Sequence, residues 1–321
     1  MPAPAAPPRL VFFGTAELAV ASLTALARPP AGRLVAVVTQ PDRPKGRSLR
    51  LQPSPVKVRA IELGLPVWQP ERCRAPDFLE RLRAAAPDLM VVAAYGQLLP
   101  PALLELPPHG CLNVHASLLP KYRGASPIQA ALLNGDAETG VTLMRMDAGL
   151  DTGPMVAQER TPIAPGEDAA HLHDRLAELG AALLVRSLPA YLEGRLAPQP
   201  QPLEGVSYAG KITKEDGRLD WSLPAGTLDR RLRAFTPWPG VFTYLPDPGK
   251  PVLMKIWRAD PVLGVAGRPG EVLRADHDGI VIACGQGALR VTELQREGGR
   301  RLTAAEFLKG HPLSPGLLLG P

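Results

Sequence analysis

Short apolar runs alternate with stretches of helical character over the first 193 residues of the chain. Runs at residues 10–14, 34–39, 88–95 and 112–116 have the length and composition of buried strands. Strands that alternate with helices are typical of a parallel sheet that is covered by helices. The pattern therefore predicts an α/β domain with a Rossmann-like, parallel-rich sheet.

The same pattern predicts how this domain ends. Ser126 followed by Pro127 favours a helix start. Residues 141–147 and 156–162 then alternate like two further strands. Residues 168–193 carry leucines on one helical stripe, so we expect a long helix that packs back on the sheet and completes the domain.

The remaining third of the chain has a different pattern. One helix, at residues 225–235, precedes short strands separated by glycine turns, which favours a small β-barrel. The predicted strands are residues 241–245, 252–258, 279–284 and 288–294. Four segments are therefore expected: a disordered Pro/Ala-rich leader at 1–8, the α/β domain at 9–193, a Pro/Gln linker at 194–206 and the β-barrel domain at 207–321.

Composition narrows the class of protein. The 321 residues are 45% hydrophobic, enough for two packed domains, and no run approaches the roughly 20 apolar residues of a membrane span. The three cysteines are far apart and show no metal-ligand spacing, so we expect no disulfide framework, no metal site and a cytoplasmic location. The sequence after Gly14 lacks the Gly-x-Gly-x-x-Gly fingerprint, which argues against a dehydrogenase.

The charge is moderately basic. The net charge is +5 and the pI is near 9.3. Residues 206–321 contain 16 Lys and Arg against 12 Asp and Glu. This surplus is compatible with a polyanionic partner and equally with an ordinary basic surface.

The most informative motif is an Asn-x-His pair in the fourth apolar run. Asn113 and His115 point to one face of a strand, about 7 Å apart, and Asp151 follows in an Asp/Gly-rich turn. An amide and a protonated imidazole can stabilise the oxyanion that forms when an amine attacks a carbonyl. A carboxylate can stabilise the imidazolium or orient a water that removes a proton. Spacing alone does not choose between Asp147 and Asp151 for that carboxylate.

Residues 111–154 resemble the folate-dependent formyltransferases, which transfer a formyl group from 10-formyltetrahydrofolate to an amine. The resemblance implies that Asn113, His115 and Asp151 are catalytic, that 10-formyltetrahydrofolate is the co-substrate and that the C-terminal barrel is OB-like. It also implies a folate site lined by the loop after the histidine. The residues of that loop are Ser117, Leu118, Leu119 and Pro120.

Other segments are similar to the family members that formylate methionine carried by initiator tRNA. These segments are residues 39–47, 53–57, 91–96, 136–140 and 233–239. The resemblance implies initiator methionyl-tRNA as the partner, and it makes the loop of residues 40–57 an arm that approaches the acceptor end. The cations expected to contact phosphate are Arg43, Lys45, Arg47, Arg50 and Lys57 in the arm, and Lys211 beyond it.

Two alternatives stay open from the sequence. A formyltransferase for a sugar-nucleotide or another small amine, or a formyltetrahydrofolate hydrolase, would use the same three side chains. A non-catalytic tRNA-binding protein on the same scaffold would not need them. The basic arm and the barrel favour the tRNA-directed enzyme of translation initiation, which we expect to be a monomer.

Overall fold

The computed structural model describes residues 6–29, 31–45 and 50–320. The described chain packs into two compact units. The first contains the chain up to Pro127 together with Glu138–Pro162 and His173–Ala209. The second contains Ile128–Ala137, Ile163–Leu172 and the chain from Gly210 onward.

Strands and helices alternate in the first part of the chain, and strands dominate the last. In chain order the strands are β1 (Arg9–Gly14), β2 (Arg33–Val38), β3 (Arg43–Lys45), β4 (Arg50–Gln52), β5 (Val67–Trp68), β6 (Leu89–Ala93), β7 (Cys111–His115), β8 (Arg123–Gly124), β9 (Glu138–Arg145), β10 (Met155–Pro162), β11 (Tyr208–Ala209), β12 (Val241–Leu245), β13 (Val252–Val262), β14 (Val272–Asp276), β15 (Gly279–Ala283), β16 (Ala288–Arg296) and β17 (Leu302–Thr303). The helices are α1 (Leu18–Leu26), α2 (Pro55–Glu62), α3 (Pro76–Ala84), α4 (Pro101–Leu104), α5 (Pro127–Asn134), α6 (Ala169–Leu192), α7 (Ala225–Phe235) and α8 (Ala304–Gly310). No helix in these ranges is long and apolar enough to cross a bilayer.

The first unit is built on a seven-stranded sheet in the order β10-β9-β7-β6-β1-β2-β5. β5, β2, β1, β6 and β7 run parallel, whereas β9 is antiparallel to β7 and β10 to β9. Every residue of β6 is buried, as expected for a parallel strand that is covered on both faces. The predicted α/β fold with a parallel-rich, Rossmann-like sheet is therefore confirmed.

The basic loop after β2 has more regular structure than the sequence predicts. β3 and β4 form a two-stranded antiparallel ribbon, and the Ser54 hydroxyl caps α2 by accepting from the Lys57 N–H at 3.0 Å. The Lys57 ammonium lies 2.7 Å from the Asp42 carboxylate, a bond that lowers the pKa of Asp42. Lys57 is thus in a partly buried ion pair, and its phosphate contact stays a prediction.

The second unit is an antiparallel β domain. Its sheet has the order β12-β13-β16-β15-β14, with β17 paired to β16. Gly320 bonds to Tyr244 on β12, while the Leu317 carbonyl accepts from the N–H of Val272 on β14 at 2.8 Å. Because the segment 317–320 bonds to both edge strands, it closes the sheet into a small barrel. The helix predicted at residues 225–235 is α7, and the predicted antiparallel β domain is confirmed.

Several elements of the second unit, among them β14 and α8, are absent from the sequence prediction. β14 pairs with β15 through an irregular register that shifts between Val272 and Arg274, which disturbs the alternation used to detect strands. α8 begins with a capping box in which the Thr303 hydroxyl and the Glu306 carboxylate each accept a backbone N–H. That signal, Thr-x-x-Glu, was present in the sequence.

The three cysteines are free and buried. Burial raises the pKa of the Cys111 thiol to about 12 and that of Cys284 to about 11, and it also raises the pKa of Cys73. Buried thiols with raised pKa values stay protonated at neutral pH and are poor nucleophiles.

Candidate active site

Three side chains from two segments of the first unit converge on one face of β7. Asn113 is half-buried, and His115, the last residue of β7, is buried. The loop after β9 brings Asp151 to both of them. The Asp151 Oδ1 lies 3.4 Å from the Asn113 Nδ2, and its Oδ2 lies 3.7 Å from the His115 Nδ1. The structure thus brings together the three residues that the sequence singled out.

The hydrogen bond of the other ring nitrogen defines the tautomer of His115. The His115 Nε2 lies 2.9 Å from the carbonyl oxygen of Tyr122. Because a carbonyl can only accept, Nε2 carries a proton. Nδ1 is therefore the nitrogen that can exchange a proton within the site, and it faces the carboxylate. A proton on Nδ1 creates an imidazolium that the Asp151 charge stabilises.

Asp151 is held in a conformation that non-glycine residues rarely adopt. Its φ is +51°, in the left-handed region. The Gly124 N–H donates to its Oδ2 at 2.8 Å, which orients the carboxylate toward the imidazole. A charge-assisted bond of this kind is among the stronger hydrogen bonds in proteins.

Asp147 has a different role from Asp151 in the same loop. Its Oδ1 accepts from the Gly149 N–H at 3.0 Å and from the Thr152 hydroxyl at 2.8 Å. Asp147 is exposed and these bonds are local, so they stabilise the turn that leads to Asp151.

The loop after the histidine is packed into the first unit. Ser117, Leu119 and Pro120 are buried, and Leu118 is partly buried. The buried Thr142 hydroxyl of β9 accepts from the Leu119 N–H at 3.1 Å and donates to the Ser117 carbonyl at 2.7 Å. The loop predicted to line the folate site is thus bonded to β9, and its folate contacts stay a prediction.

The Thr142 hydroxyl supports a first test of how this loop is held. Thr142→Val keeps the shape of the side chain but leaves the Leu119 N–H and the Ser117 carbonyl unpaired in a buried position. We expect the free energy of unfolding to fall by about 3 kcal/mol, since an orphaned buried group costs about 1–3 kcal/mol. Urea unfolding measures the change. A loss below about 1 kcal/mol would contradict the assignment.

A cavity of about 510 Å³ adjoins the loop that carries Asp151. Part of its wall is that loop itself, through Met146, Asp147, Ala148 and Pro154. The rest of the wall comes from the region of α4. The residues there are Pro101, Leu104, Glu105, Pro107 and Pro108, and Arg145 of β9 completes the lining. The volume is within the range of small-molecule sites, and the wall does not include Ser117, Leu118, Leu119 or Pro120.

The predicted tRNA contacts come from both units. Arg43 and Arg50 are exposed on the two strands of the ribbon, and the Arg43 guanidinium lies 3.7 Å from the exposed carboxylate of Glu71. Lys45 lies on β3. Arg47 lies outside the described residues. Lys211 is exposed near the start of the second unit.

The structure adds residues that the sequence did not single out. Tyr122 provides the carbonyl that binds His115, and Gly124 provides the N–H that binds Asp151. The Gln201 side chain donates to the Asp151 and Gly153 carbonyls. Gln201 lies in the segment that its Pro/Gln composition marks as a linker, so no local signal distinguished it.

Comparison with known proteins shows which family the sequence matches. The profile "Formyl transferase" matches residues 8–188, and "Formyl transferase, C-terminal domain" matches residues 211–312. The methionyl-tRNA formyltransferase of Myxococcus xanthus is 56% identical, over 96% of this chain and 97% of that protein. The methionyl-tRNA formyltransferase of Xanthomonas campestris is 53% identical, over 96% of this chain and 99% of that protein.

A solved structure shares the fold at much lower identity. An N-formyltransferase from Helicobacter canadensis, in complex with folinic acid and dTDP-3-aminofucose, aligns with a TM-score of 0.62 at 19% identity, over 91% of this chain and 99% of that one. At that identity the likeness supports the fold alone. Since both profiles match in order and full-length relatives share about half of their residues with it, this chain belongs to the formyl transferase family.

Proposed function

We propose that this protein transfers the formyl group of 10-formyltetrahydrofolate to the α-amino group of methionine esterified to initiator tRNA. The observation that carries the proposal is the convergence of the Asn113 amide and the His115 imidazole on the Asp151 carboxylate, at 3.4 Å and 3.7 Å. Relatives that share about half of the sequence over nearly the whole chain carry the name methionyl-tRNA formyltransferase, which supports the choice of acceptor.

The three side chains have complementary tasks in this reaction. The substrate amine, with a pKa of roughly 8, is partly unprotonated at neutral pH and attacks the formyl carbon directly. The Asn113 amide and a proton on the His115 Nδ1 stabilise the oxygen anion of the tetrahedral intermediate. Asp151 stabilises the imidazolium and accepts, directly or through a water, the proton that leaves the attacking nitrogen. The bond between the formyl carbon and N10 of the folate then breaks, N10 takes up that proton and tetrahydrofolate leaves. The residues act without forming a covalent bond to the formyl group.

The cavity beside the Asp151 loop fits a reduced folate. Leu104, Pro107 and Met146 supply apolar wall for a flat ring system, and the main chain of the loop supplies hydrogen-bonding groups. We place the pterin there and propose that the loop of Ser117, Leu118, Leu119 and Pro120, which is not part of the cavity wall, contacts the pterin or its linker. The co-substrate supplies the formyl group. The residues of this chain orient that group and stabilise the charges that form during its transfer.

We assign a different substrate to each of the two predicted domains. We assign residues 9–193 to folate binding and catalysis, residues 194–206 to the connection and residues 207–321 to tRNA binding. The proposed phosphate contacts are Arg43, Lys45 and Arg50 on the ribbon, Arg47, which lies outside the described residues, and Lys211 further along the chain. We further propose that the enzyme acts as a cytoplasmic monomer.

One assay separates this function from its alternatives. The protein is incubated with formyl-labelled 10-formyltetrahydrofolate and either charged initiator tRNA, charged elongator methionyl-tRNA or an amino-sugar nucleotide. We expect the label on initiator methionyl-tRNA only. Transfer to the sugar nucleotide, or formate release without an acceptor, would refute the proposal.

The basic arm of residues 40–57 supports a second test. Arg47→Ala should weaken tRNA binding and lower the slope of log affinity against log salt by about 0.7–0.9, as expected for the loss of one phosphate contact. The KM for the folate should stay unchanged. Arg28→Ala, which changes an exposed arginine elsewhere in the chain, is the control. An unchanged salt slope in Arg47→Ala would remove this residue from the interface.

A further inference from the structure

The backbone around Asp151 depends on contacts from outside its own loop. A φ of +51° is disfavoured for a residue with a Cβ, so this conformation persists only where the surroundings impose it. The local bonds of Asp147 involve Gly149 and Thr152 and leave the main-chain carbonyls of Asp151 and Gly153 to other partners. Both carbonyls accept from one side chain.

That side chain is Gln201, which binds both carbonyls with its amide nitrogen. The Gln201 Nε2 lies 2.8 Å from the Asp151 carbonyl oxygen and 2.8 Å from the Gly153 carbonyl oxygen. Its Oε1 accepts from the Arg123 Nε at 3.1 Å and from the Arg123 Nη2 at 2.8 Å. Both donors and both acceptor positions of the amide are therefore used.

The orientation of this amide follows from its partners. A guanidinium only donates and a carbonyl only accepts, so Oε1 must face Arg123 and Nε2 must face the loop. The amide cannot turn over without placing two donors against the guanidinium and its oxygen against two carbonyls. Gln201 thus joins the Asp151 loop to the β8 segment in one orientation.

The β8 segment contains the two main-chain groups that hold the catalytic side chains. Arg123 lies between Tyr122, whose carbonyl binds the His115 Nε2, and Gly124, whose N–H binds the Asp151 Oδ2. The backbone of this segment is independently anchored, since the Tyr122 and Arg123 N–H groups donate to Ser207. The position of the loop relative to β8 determines how far the carboxylate lies from the imidazole.

We propose that Gln201 is a positioning residue for the catalytic pair His115 and Asp151, acting together with Arg123. It touches neither the carboxylate nor the imidazole. It holds the main chain of the Asp151 loop in its left-handed conformation and ties that loop to the segment that binds His115. This inference rests on the proposed function, because it assigns Gln201 a part in the same formyl transfer.

The test compares two changes at Gln201 with a matched control. Gln201→Leu removes both sets of bonds at similar size. Gln201→Glu keeps an acceptor for Arg123 but places a carboxylate oxygen against the Asp151 and Gly153 carbonyls. Gln199→Ala changes the same residue type two positions earlier, where the exposed side chain donates only to the nearby Ala197 carbonyl at 3.4 Å.

The kinetic outcome separates positioning from binding. We expect kcat to fall at least tenfold in both Gln201 variants while the KM values for folate and tRNA change less than threefold. The pH profile of kcat should be displaced as well, because the distance between the Asp151 carboxylate and the His115 imidazole changes. Gln199→Ala should match the parent. A kcat within twofold of the parent in a folded Gln201 variant, or a loss confined to KM, overturns the proposal.

A readout without turnover keeps the inference separate from the proposed function. In the full-length protein, the imidazole nitrogen resonances of His115 should shift in Gln201→Leu and Gln201→Glu and stay unchanged in Gln199→Ala. Should the Leu variant fail to fold, the Glu variant, which retains the Arg123 contact, decides the question. Unchanged His115 resonances in the Gln201 variants would refute the positioning role of Gln201. If the parent protein has no formyl-transfer activity but the His115 resonances shift as expected in the Gln201 variants, only the proposed function is refuted.

Discussion

His115→Ala should lower kcat for formyl transfer to methionyl-tRNA by about three orders of magnitude. The change removes the proton donor at Nδ1 that faces the reacting centre, and donors of this kind contribute roughly 10²–10³ in rate while acid–base groups contribute roughly 10²–10⁴. Asn113→Ala should lower kcat by about two orders of magnitude, because one oxyanion donor is lost. Single-turnover measurements with saturating folate isolate this step.

The fold should survive both changes. Asn113 is only half-buried, and His115→Ala leaves one carbonyl, that of Tyr122, without its side-chain partner. We expect a stability loss of about 1–3 kcal/mol for that carbonyl, small enough for a folded protein. His277→Ala, at an exposed position of the second unit, is the control. Near-parental rates in His115→Ala or Asn113→Ala would end the catalytic assignment.

Asp151→Asn should lower kcat by about a thousandfold, whereas Asp147→Asn should change it by less than about threefold. The asparagine at 151 has nearly the size of the aspartate and can still accept from the Gly124 N–H, but it lacks the charge that stabilises the His115 imidazolium. Loss of a histidine-orienting carboxylate by this change has cost about 10⁴ in serine proteases.

The Asp147 variant is the matched control within the same loop. Its new side chain retains the oxygen that accepts from Gly149 and Thr152, so the turn keeps its bonds. Steady-state kinetics on both variants, with thermal unfolding as a check of folding, give the comparison. Equal losses at the two positions would show that the loop as a whole, rather than the Asp151 charge, determines the rate.

Periodicity predicted the elements whose packing is regular. The bounds of β1, β2, β6 and β7 lie within one or two residues of the predicted apolar runs. The agreement is close because a strand buried on both faces has a continuous run of apolar residues. α7 and β12 have the predicted bounds. The resemblance supplied the family, which the profile matches confirm.

The sequence did not predict the β3–β4 ribbon or the irregular strand pairing of β13. The β3–β4 ribbon shows no alternation of buried and exposed residues, since all of β4, including Leu51, is exposed. Its strands are therefore stabilised by pairing with each other rather than by a buried face. β13 continues to Val262, beyond the predicted end, through register shifts near Arg258 that break the period of two. These features depend on the partner strand, which a local pattern does not contain.

The sequence by itself determined the alternation of strands and helices, the family and the identity of Asn113, His115 and Asp151, because each of these is written in residue types at short spacing. Only the tertiary structure placed the Asp151 carboxylate 3.7 Å from the His115 imidazole, assigned the His115 tautomer through the Tyr122 carbonyl and brought the Gln201 amide to the carbonyls of the Asp151 loop. The physical reason is separation along the chain. Hydrogen bonds to main-chain groups many residues away depend on where the backbone passes, and a carbonyl or N–H is the same for nearly every residue type.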